Sequence, residues 1–182
     1  RTKLNFIFII TSYSGYISSG VGNEVTLLAS GQDVNKTFTP QSSGSVYAAL
    51  LVKVTATSTT GDYFFHLGPN TIKTNFRGRL FVKKDASNNL AFGIAHSGTA
   101  NYSQYDYALN QVYLIVMKYT FVSGESNDVV SIYINPTLGS GEPSSGWLTN
   151  TDTPTDPTDI GAVALRQGTA ANLVNVIVDG IR

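Results

Sequence analysis

The 182-residue sequence contains no cysteine, which excludes a disulfide framework, a thiol nucleophile and a thiolate zinc site. Charge is also scarce, because only 13% of the residues are charged and 12 basic residues balance 12 acidic ones. A neutral chain lacks the basic footprint that binds DNA, RNA or anionic membranes, so we expect no nucleic-acid partner. No apolar run approaches the roughly 18 residues of a membrane helix, so we expect no transmembrane segment.

Hydroxyl and β-forming side chains are abundant instead. The sequence has 18 Ser, 20 Thr and 10 Tyr, so hydroxyl side chains outnumber the charged ones. β-Branched and aromatic residues favour strands, and 17 glycines supply turns. No stretch shows the spacing of a long amphipathic helix. With 42% hydrophobic residues the chain can bury one core, which predicts a single all-β domain over residues 1–182.

Apolar and polar residues alternate with a period of two along much of the chain, as they do in half-buried strands. Segments 78–95 and 112–135 each hold two such runs separated by turn-forming residues, which predicts two β-hairpins. Residues 112–122 are apolar on both faces over most of their length and predict a central strand. The other predicted strands are 4–10, 24–29, 34–39, 46–57, 61–67, 160–166 and 173–181. These strands, with no helix among them, predict a two-sheet antiparallel β-sandwich.

Segment 136–159 has poor strand propensity, because it holds four prolines and three glycines among many hydroxyl residues. Trp147, the only tryptophan, lies near its middle, so we expect an ordered irregular loop held by that side chain. The sequence starts at Arg1 instead of methionine and stops within the predicted last strand. We therefore expect the domain to be a piece of a longer secreted protein.

Residues 112–136, two strands joined by a short turn, resemble a strand pair of the concanavalin A-like and laminin-G-like jelly-roll superfamily. Residues 176–182 resemble the closing strand of those domains. Segments 61–67 and 76–82 also resemble uncharacterised domains of large secreted surface proteins of Bacteroidota-like bacteria. The resemblance implies a two-sheet antiparallel jelly roll. This superfamily includes lectins, glycan-binding modules, adhesion domains and glycoside hydrolases, so the fold alone does not imply the function.

A retaining glycoside hydrolase needs two carboxyl groups about 5–5.5 Å apart, one as nucleophile and one as acid/base. The resemblance implies that a catalytic member would carry these carboxyl groups on one strand, in the pattern Glu-x-Asp-x-x-Glu or a close variant, as related glucanases do. Glutamate occurs here only as Glu24, Glu125 and Glu142, and no two of them have such a spacing. We therefore expect that the chain is not an enzyme, and a glycoside hydrolase is a remote alternative.

Asp152, Asp156 and Asp159 lie in a proline-rich run whose carboxylates and hydroxyls suit a hard cation. Jelly rolls of this superfamily often hold one calcium ion, so the resemblance supports these residues as a candidate site for a structural calcium. The spacing is not that of an EF-hand, and the alternative is a series of Asx and Ser/Thr turns. Asp33, Asp128 and Asp179 are equal candidates as ligands or turn formers. No other cofactor is expected.

Exposed aromatic faces are typical of sugar-binding sites, because a ring stacks on the apolar side of a pyranose. The densest aromatic run contains Tyr102, Tyr105 and Tyr107, and Trp147 is a further platform. We take these four residues as the candidate carbohydrate-binding set. At strand spacing, Tyr105 and Tyr107 share one face and Tyr102 lies on the other. The alternative is that the tyrosines cover sheet edges and that Trp147 plugs one end of the sandwich.

His66 and His96 are the only histidines, and neither belongs to a nucleophile or metal-ligand motif. Both are predicted to be hydrogen-bonded structural residues. A basic cluster is predicted to be a solvated strand face whose lysines discourage edge pairing. It consists of Arg77, Arg79, Lys83 and Lys84.

Together these observations favour a non-catalytic extracellular or cell-surface module for adhesion, scaffolding or self-assembly. Its expected partner is a glycan or a neighbouring surface protein, or a second copy that pairs through edge strands or the apolar segment 6–10. The alternative is a lectin-like carbohydrate-binding module that uses the tyrosine and tryptophan platforms.

Overall fold

The computed structural model describes residues 11–150, 152 and 154–182. These residues form thirteen β-strands and no helix, so none of them belongs to a helix able to span a membrane. The predicted strand 4–10 and the apolar segment 6–10 lie outside the described residues. The strands are β1 Val25–Leu27, β2 Val34–Gln41, β3 Ser45–Thr57, β4 Asp62–Gly68, β5 Arg77–Lys84, β6 Asn89–Ala95, β7 Asn101–Tyr102, β8 Tyr107–Ala108, β9 Val112–Thr120, β10 Val129–Ile134, β11 Leu148–Asn150, β12 Ile160–Leu165 and β13 Val174–Asp179.

The strands form two antiparallel sheets that pack face to face. Sheet A has the order β1-β13-β3-β9-β10-β11. Sheet B has the order β2-β12-β4-β5-β6-β7, and β8 pairs with β6. The two-sheet antiparallel β-sandwich that the sequence predicts is therefore confirmed.

Side chains that alternate along the strands form one core between the sheets. Tyr119, Phe64, Phe65 and Phe92 are the largest side chains that are fully buried there. Burying a large apolar side chain stabilises the fold by about 1.5–3 kcal/mol, so this layer holds the two sheets together.

Both predicted hairpins are present. β5 and β6 pair from Arg79 opposite Ala95 to Lys84 opposite Leu90, and β9 pairs with β10. The Asp85 carboxylate caps the first turn, where it accepts the backbone N–H groups of two later turn residues. Local polar chemistry therefore sets this register, as the turn-rich sequence indicates.

Three short strands were not predicted: β7, β8 and β11. The last of them lies inside segment 136–159, which the sequence predicts to be irregular. Leu148 pairs with Ile132 of β10, and Asn150 pairs with Val130. Strands of two or three residues are too short to show an alternating pattern, so only their neighbours in the fold reveal them.

The chain before β1 covers part of the outer face of sheet A, the face that points away from the core. Tyr16 packs with Leu51 and Leu114 in a second buried cluster, and Tyr13 packs against it. The Tyr16 hydroxyl donates to the carbonyl oxygen of Gly180 at 2.7 Å. This cover explains why β9 is apolar on both faces near its start.

Among the described residues, β2 forms an edge of sheet B that no further strand covers. Every β2 residue is exposed except Phe38, which is half-buried. A crevice of about 440 Å³ separates β2 from β3, and its apolar lining includes Phe38, Val46, Leu67 and Val163. The core is therefore incompletely covered at this edge.

Candidate functional site

Sheet A carries a groove on its outer face, with a floor formed by β3, β9 and β10. In the strand register Tyr47 lies opposite Lys118, and Val116 lies opposite Tyr133. The chain between β10 and β11 rises from the floor as a wall. We call this site the aromatic groove, which is lined by Tyr47, Val116, Tyr133, Trp147 and residues 136–143.

Trp147 joins the wall to the floor. Its indole Nε1–H donates to the carbonyl oxygen of Pro143 at 2.8 Å, which closes the end of the wall into a turn. Its ring packs edge-on against Tyr133, with centroids 5.5 Å apart and planes at 75°. Gly146 has a φ of +85°, and a Cβ there would lie 3.2 Å from the Tyr133 ring, so glycine permits this close approach.

A lysine–glutamate pair crosses the groove. Lys118 Nζ donates to Glu142 Oε1 at 2.6 Å, and the Tyr47 hydroxyl donates to Glu142 Oε2 at 2.6 Å. The hydrogen bond to Glu142 raises the pKa of Lys118, and the hydrogen bond from Lys118 lowers the pKa of Glu142. The ammonium lies 5.4 Å from the Tyr47 ring centroid and 6.0 Å from that of Trp147. Both groups of the pair are therefore charged at neutral pH.

The aromatic groove has a volume of about 200 Å³ and is open to solvent. Its rings offer apolar faces, while Lys118 and Glu142 offer donors and acceptors at its edge. Such a combination suits a ligand that has one apolar face and several polar groups, as a sugar ring does.

Of the four predicted carbohydrate-binding residues, only Trp147 lies in the aromatic groove, and the three tyrosines lie at sheet B. Tyr107 packs against the core, with its ring centroid 5.2 Å from those of both Phe92 and Tyr113. Because β8 places this side chain over the core, the Tyr107 ring is not an exposed platform.

Tyr102 covers a glycine. An added Cβ at Gly93 would lie 2.7 Å from two atoms of the Tyr102 ring, and Lys83 Nζ lies 3.8 Å from the ring centroid. Burial raises the pKa of Tyr102 to about 12. Tyr105 is 39% exposed and lies beside the same lysine, at 5.7 Å. The prediction that Tyr105 shares a face with Tyr107 is wrong, because residues 103–106 interrupt the strand between β7 and β8.

The basic cluster is partly exposed, but the prediction that its lysines discourage edge pairing is wrong. β5 is an interior strand of sheet B, and the Arg79 guanidinium lies 5.3 Å from the Tyr63 ring and 5.4 Å from the Phe81 ring. It donates to the carbonyl oxygens of Ser97 and Gly98. Two members of the cluster, Arg79 and Lys83, therefore pack on aromatic rings.

The three aspartates predicted to bind calcium are not brought together. Asp152 accepts backbone N–H groups of His96 and Gly98, and Asp156 accepts those of residues 127 and 128. Asp159 accepts the backbone N–H of Asn70 at 2.7 Å. In the described ranges, no group of three or more metal-ligating side chains is found. Each carboxylate thus fixes a different loop, and it does so by bonds to residues 28 to 89 positions away in sequence, not by the local turns of the alternative.

Both histidines are buried and hydrogen-bonded, which confirms their structural reading. His66 Nδ1 donates to the carbonyl oxygen of Leu67 at 2.9 Å. His96 Nε2 lies 3.0 Å from the Tyr119 hydroxyl, which donates to Asp128 Oδ2 at 2.6 Å. Burial is the largest cause that lowers the pKa of both histidines. His96, Tyr119 and Asp128 therefore form a buried polar chain at one end of the core.

Sequence reasoning missed three residues of the groove: Tyr47, Lys118 and Tyr133. Alternation alone assigns each of them to the outward-facing positions of its strand. It does not show that β9 lies between β3 and β10, which is what brings the three side chains together.

No protein-family model matches the sequence, and no curated protein matches it. Among solved structures, 128 chains match. A native heptameric SAP-like pentraxin from Limulus polyphemus has a TM-score of 0.50 and 11% identity, covering 87% of this chain and 74% of that chain.

Two mycobacterial proteins match with lower scores. A glycosyl hydrolase family 16 protein from Mycobacterium smegmatis is 12% identical, with a TM-score of 0.45 over 90% of this chain and 76% of that one. A β-1,3-glucanase from Mycobacterium marinum is 11% identical, with a TM-score of 0.45 over 90% and 75%. These structures lend no support to the narrower resemblance to Bacteroidota surface proteins. At such identities the likeness shows the fold alone, which is a concanavalin A-like jelly roll.

Proposed function

We propose that this chain is a non-catalytic adhesion module that binds a glycan through the aromatic groove. The observation that carries the proposal is the convergence of three aromatic rings on a hydrogen-bonded ion pair. The rings belong to Tyr47, Tyr133 and Trp147. A pyranose can bury its apolar face on such rings while its hydroxyls bond to the charged groups at the edge.

The groove is also well supported by the sheet beneath it. Tyr47 and Tyr133 rise from β3 and β10; β3 pairs with β9 over its whole length, and β10 pairs with it from Ile115 to Thr120. The Pro143 carbonyl and the Tyr133 ring both hold Trp147. A site on paired strands loses little conformational freedom when a ligand binds, which favours affinity.

The non-catalytic part of the proposal rests on the glutamates. Glu142 is neutralised by Lys118, Glu24 accepts the Thr11 hydroxyl proton, and Glu125 lies in the turn between β9 and β10. The three glutamates lie on different segments of the chain, which supports the proposal that they do not pair as the two carboxyl groups of a retaining hydrolase do. We expect no reducing sugar to be released from β-1,3-glucan, and release that depends on Glu142 would instead support the remote hydrolase alternative.

Binding of a glycan array by the purified chain, followed by calorimetric titration of each hit, tests the groove. Trp147→Ala and Tyr47→Ala should each weaken binding by at least about tenfold, because truncating a central aromatic anchor removes most of the contact. Tyr105→Ala is the matched control, since Tyr105 is an exposed ring on sheet B. We expect this control to retain full affinity.

Two results would contradict the proposal. One is a wild-type chain that retains no glycan at millimolar concentration. The other is binding that is lost in Tyr105→Ala and kept in Trp147→Ala, because the site would then lie on sheet B. Thermal unfolding of each variant separates a lost contact from a lost fold.

Self-association is a second candidate function, favoured by the open edge at β2. The half-buried Phe38 and the apolar crevice next to β3 offer a second copy both unpaired backbone groups and apolar surface. Lys36 and Pro40 lie on the same strand. A lysine or a proline on an edge strand discourages unspecific pairing with other chains, so these residues restrict which strands can pair with β2.

Sedimentation over a range of concentrations tests this candidate. A dimer should dissociate in Phe38→Ser, whereas Val122→Ser, at an exposed apolar residue beyond β9, should leave it intact. A wild-type chain that is monomeric at millimolar concentration would remove self-association as a function.

We propose that the module acts outside the cell or at its surface. The cysteine-free, hydroxyl-rich composition and the proposed glycan ligand support this location. Protease treatment of intact cells should degrade the domain, and protection until the cells are lysed would contradict this location.

A further inference from the structure

The aromatic groove already holds one carboxylate. Glu142 reaches down from the wall and accepts hydrogen bonds from Lys118 and from the Tyr47 hydroxyl, both at 2.6 Å. These two donors come from directly paired positions of β3 and β9. The floor therefore presents a preformed pair of donors that suits the two oxygens of a carboxylate.

The strands of the floor supply no acid for this lysine. Lys118 lies between Tyr47 and Ser131 in the register, and its salt bridge in the described part of the chain is to Glu142 of the wall. The neighbouring aromatic rings attract the ammonium but do not neutralise it. A ligand that enters over the floor thus meets the Lys118 ammonium, whose acidic partner Glu142 belongs to the wall.

Glu142 is held loosely enough to be replaced. Its side chain is 44% exposed, and exposed ion pairs contribute little to stability. Gly139 and Gly141 precede it, and a Cβ added at either would meet nothing within 4 Å. The wall therefore has free space around it, and its glutamate can leave the floor without disturbing the core.

We propose that the aromatic groove selects sugars that carry a carboxylate, and that Glu142 occupies the anion position until such a ligand displaces it. This inference rests on the proposed glycan-binding function and names its substrate class. The ligand carboxylate takes over the hydrogen bonds of Lys118 and Tyr47, while the pyranose ring packs on Trp147 and Tyr133. A uronic acid and a sialic acid share this chemistry.

Calorimetric titration with trigalacturonic acid, with sialyllactose and with a neutral trisaccharide of glucose tests the inference. Wild type should bind one of the acidic ligands more tightly than the neutral one, and which acid it binds identifies the source. Glu142→Gln removes the internal competitor and should tighten acid binding by about two- to fivefold, as expected for an exposed ion pair. The same change should not tighten binding of the neutral sugar, because an uncharged ligand does not compete for the lysine.

Lys118→Met should weaken binding of the acidic sugar by at least about tenfold and abolish the salt dependence of that binding. Lys118→Arg should retain both the affinity and the salt dependence. Equal binding of acidic and neutral sugars would overturn this inference and leave the glycan-binding function standing. Acid binding that weakens in Glu142→Gln or survives Lys118→Met would also overturn it. If none of these three ligands binds, this inference fails, and the glycan-binding function fails with it only if the array also retains no glycan.

Discussion

Removing one hydroxyl from the core tests the buried polar chain most directly. Tyr119 has a single hydroxyl proton, and it goes to the carboxylate of Asp128, which can only accept. In the hydrogen bond between His96 and Tyr119, the proton must therefore be on His96 Nε2, which donates to the tyrosine oxygen. Tyr119→Phe would leave His96 without an acceptor and Asp128 without one of its donors.

The cost can be worked out from these contacts. A hydrogen bond to a charged group contributes about 1.5–3 kcal/mol, and a buried donor left unpaired costs about 1–3 kcal/mol. Tyr119 and His96 are fully buried and Asp128 is 3% exposed, so solvent cannot replace the lost partners. We expect the free energy of unfolding to fall by about 3 kcal/mol in Tyr119→Phe. For a chain of this size, that corresponds to a melting temperature roughly 6–12 °C lower.

Urea unfolding at neutral pH provides the measurement, with Tyr105→Phe as the control. Tyr105 is 39% exposed, so losing its hydroxyl should change the free energy by less than about 0.5 kcal/mol. A double-mutant cycle with Asp128→Asn should show a coupling energy of at least about 1 kcal/mol. A loss below about 1 kcal/mol in Tyr119→Phe, with an unchanged m-value, would refute the reasoning.

Three further predictions concern pH, packing and calcium. Burial lowers the pKa of both His66 and His96, so the folded chain binds protons at these residues less readily than the unfolded chain, whose histidines become protonated below about pH 6.5. The unfolding free energy measured by urea should therefore fall as the pH drops from about 7 to about 5, by up to about 1.4 kcal/mol per pH unit for each histidine. Gly93→Ala should cost about 1–3 kcal/mol in the same assay, because the new Cβ would lie 2.7 Å from the Tyr102 ring. EDTA or millimolar calcium should leave the melting temperature unchanged within about 1 °C, because the three predicted ligands already bond to separate loops.

Each of these predictions has an outcome that would contradict it. Stability that is constant over the stated pH window would show that the histidines are not protected from protons. Gly141→Ala is the packing control, since its Cβ would meet nothing within 4 Å, and an equal loss in both variants would remove the argument from Tyr102. A melting temperature that rises with calcium would show that the aspartates do converge on a metal ion.

Most of the strands could be predicted because the alternation extends over long segments. β3 alternates over much of its 13 residues and β9 is a long run that is mostly apolar on both faces, and their predicted bounds differ from the observed ones by one or two residues. β7 and β11 have two and three residues, so they hold no period to detect. Their existence depends on the neighbouring strands β6 and β10.

The site was harder to predict than the fold, because it depends on the order of strands in space. Local sequence places Tyr47 and Tyr133 on outer faces, but only the tertiary fold places both next to Trp147. The aromatic run around Tyr105 is dense in sequence and yet is divided between the core, a glycine and solvent. Local density of a residue type therefore did not locate the groove.

The position of β13 has a consequence for how the chain reaches its native state. This last strand lies between β1 and β3 in sheet A, and the Tyr16 hydroxyl bonds to Gly180 just after it. Sheet A therefore cannot be completed before β13 has been synthesised, because β1 pairs with β13 in the described part of the chain. Topologies with such distant pairings fold slowly, typically in milliseconds to seconds. Until β13 is made, the strands that precede it therefore remain in an incomplete sheet, a form that can still be threaded through a narrow channel.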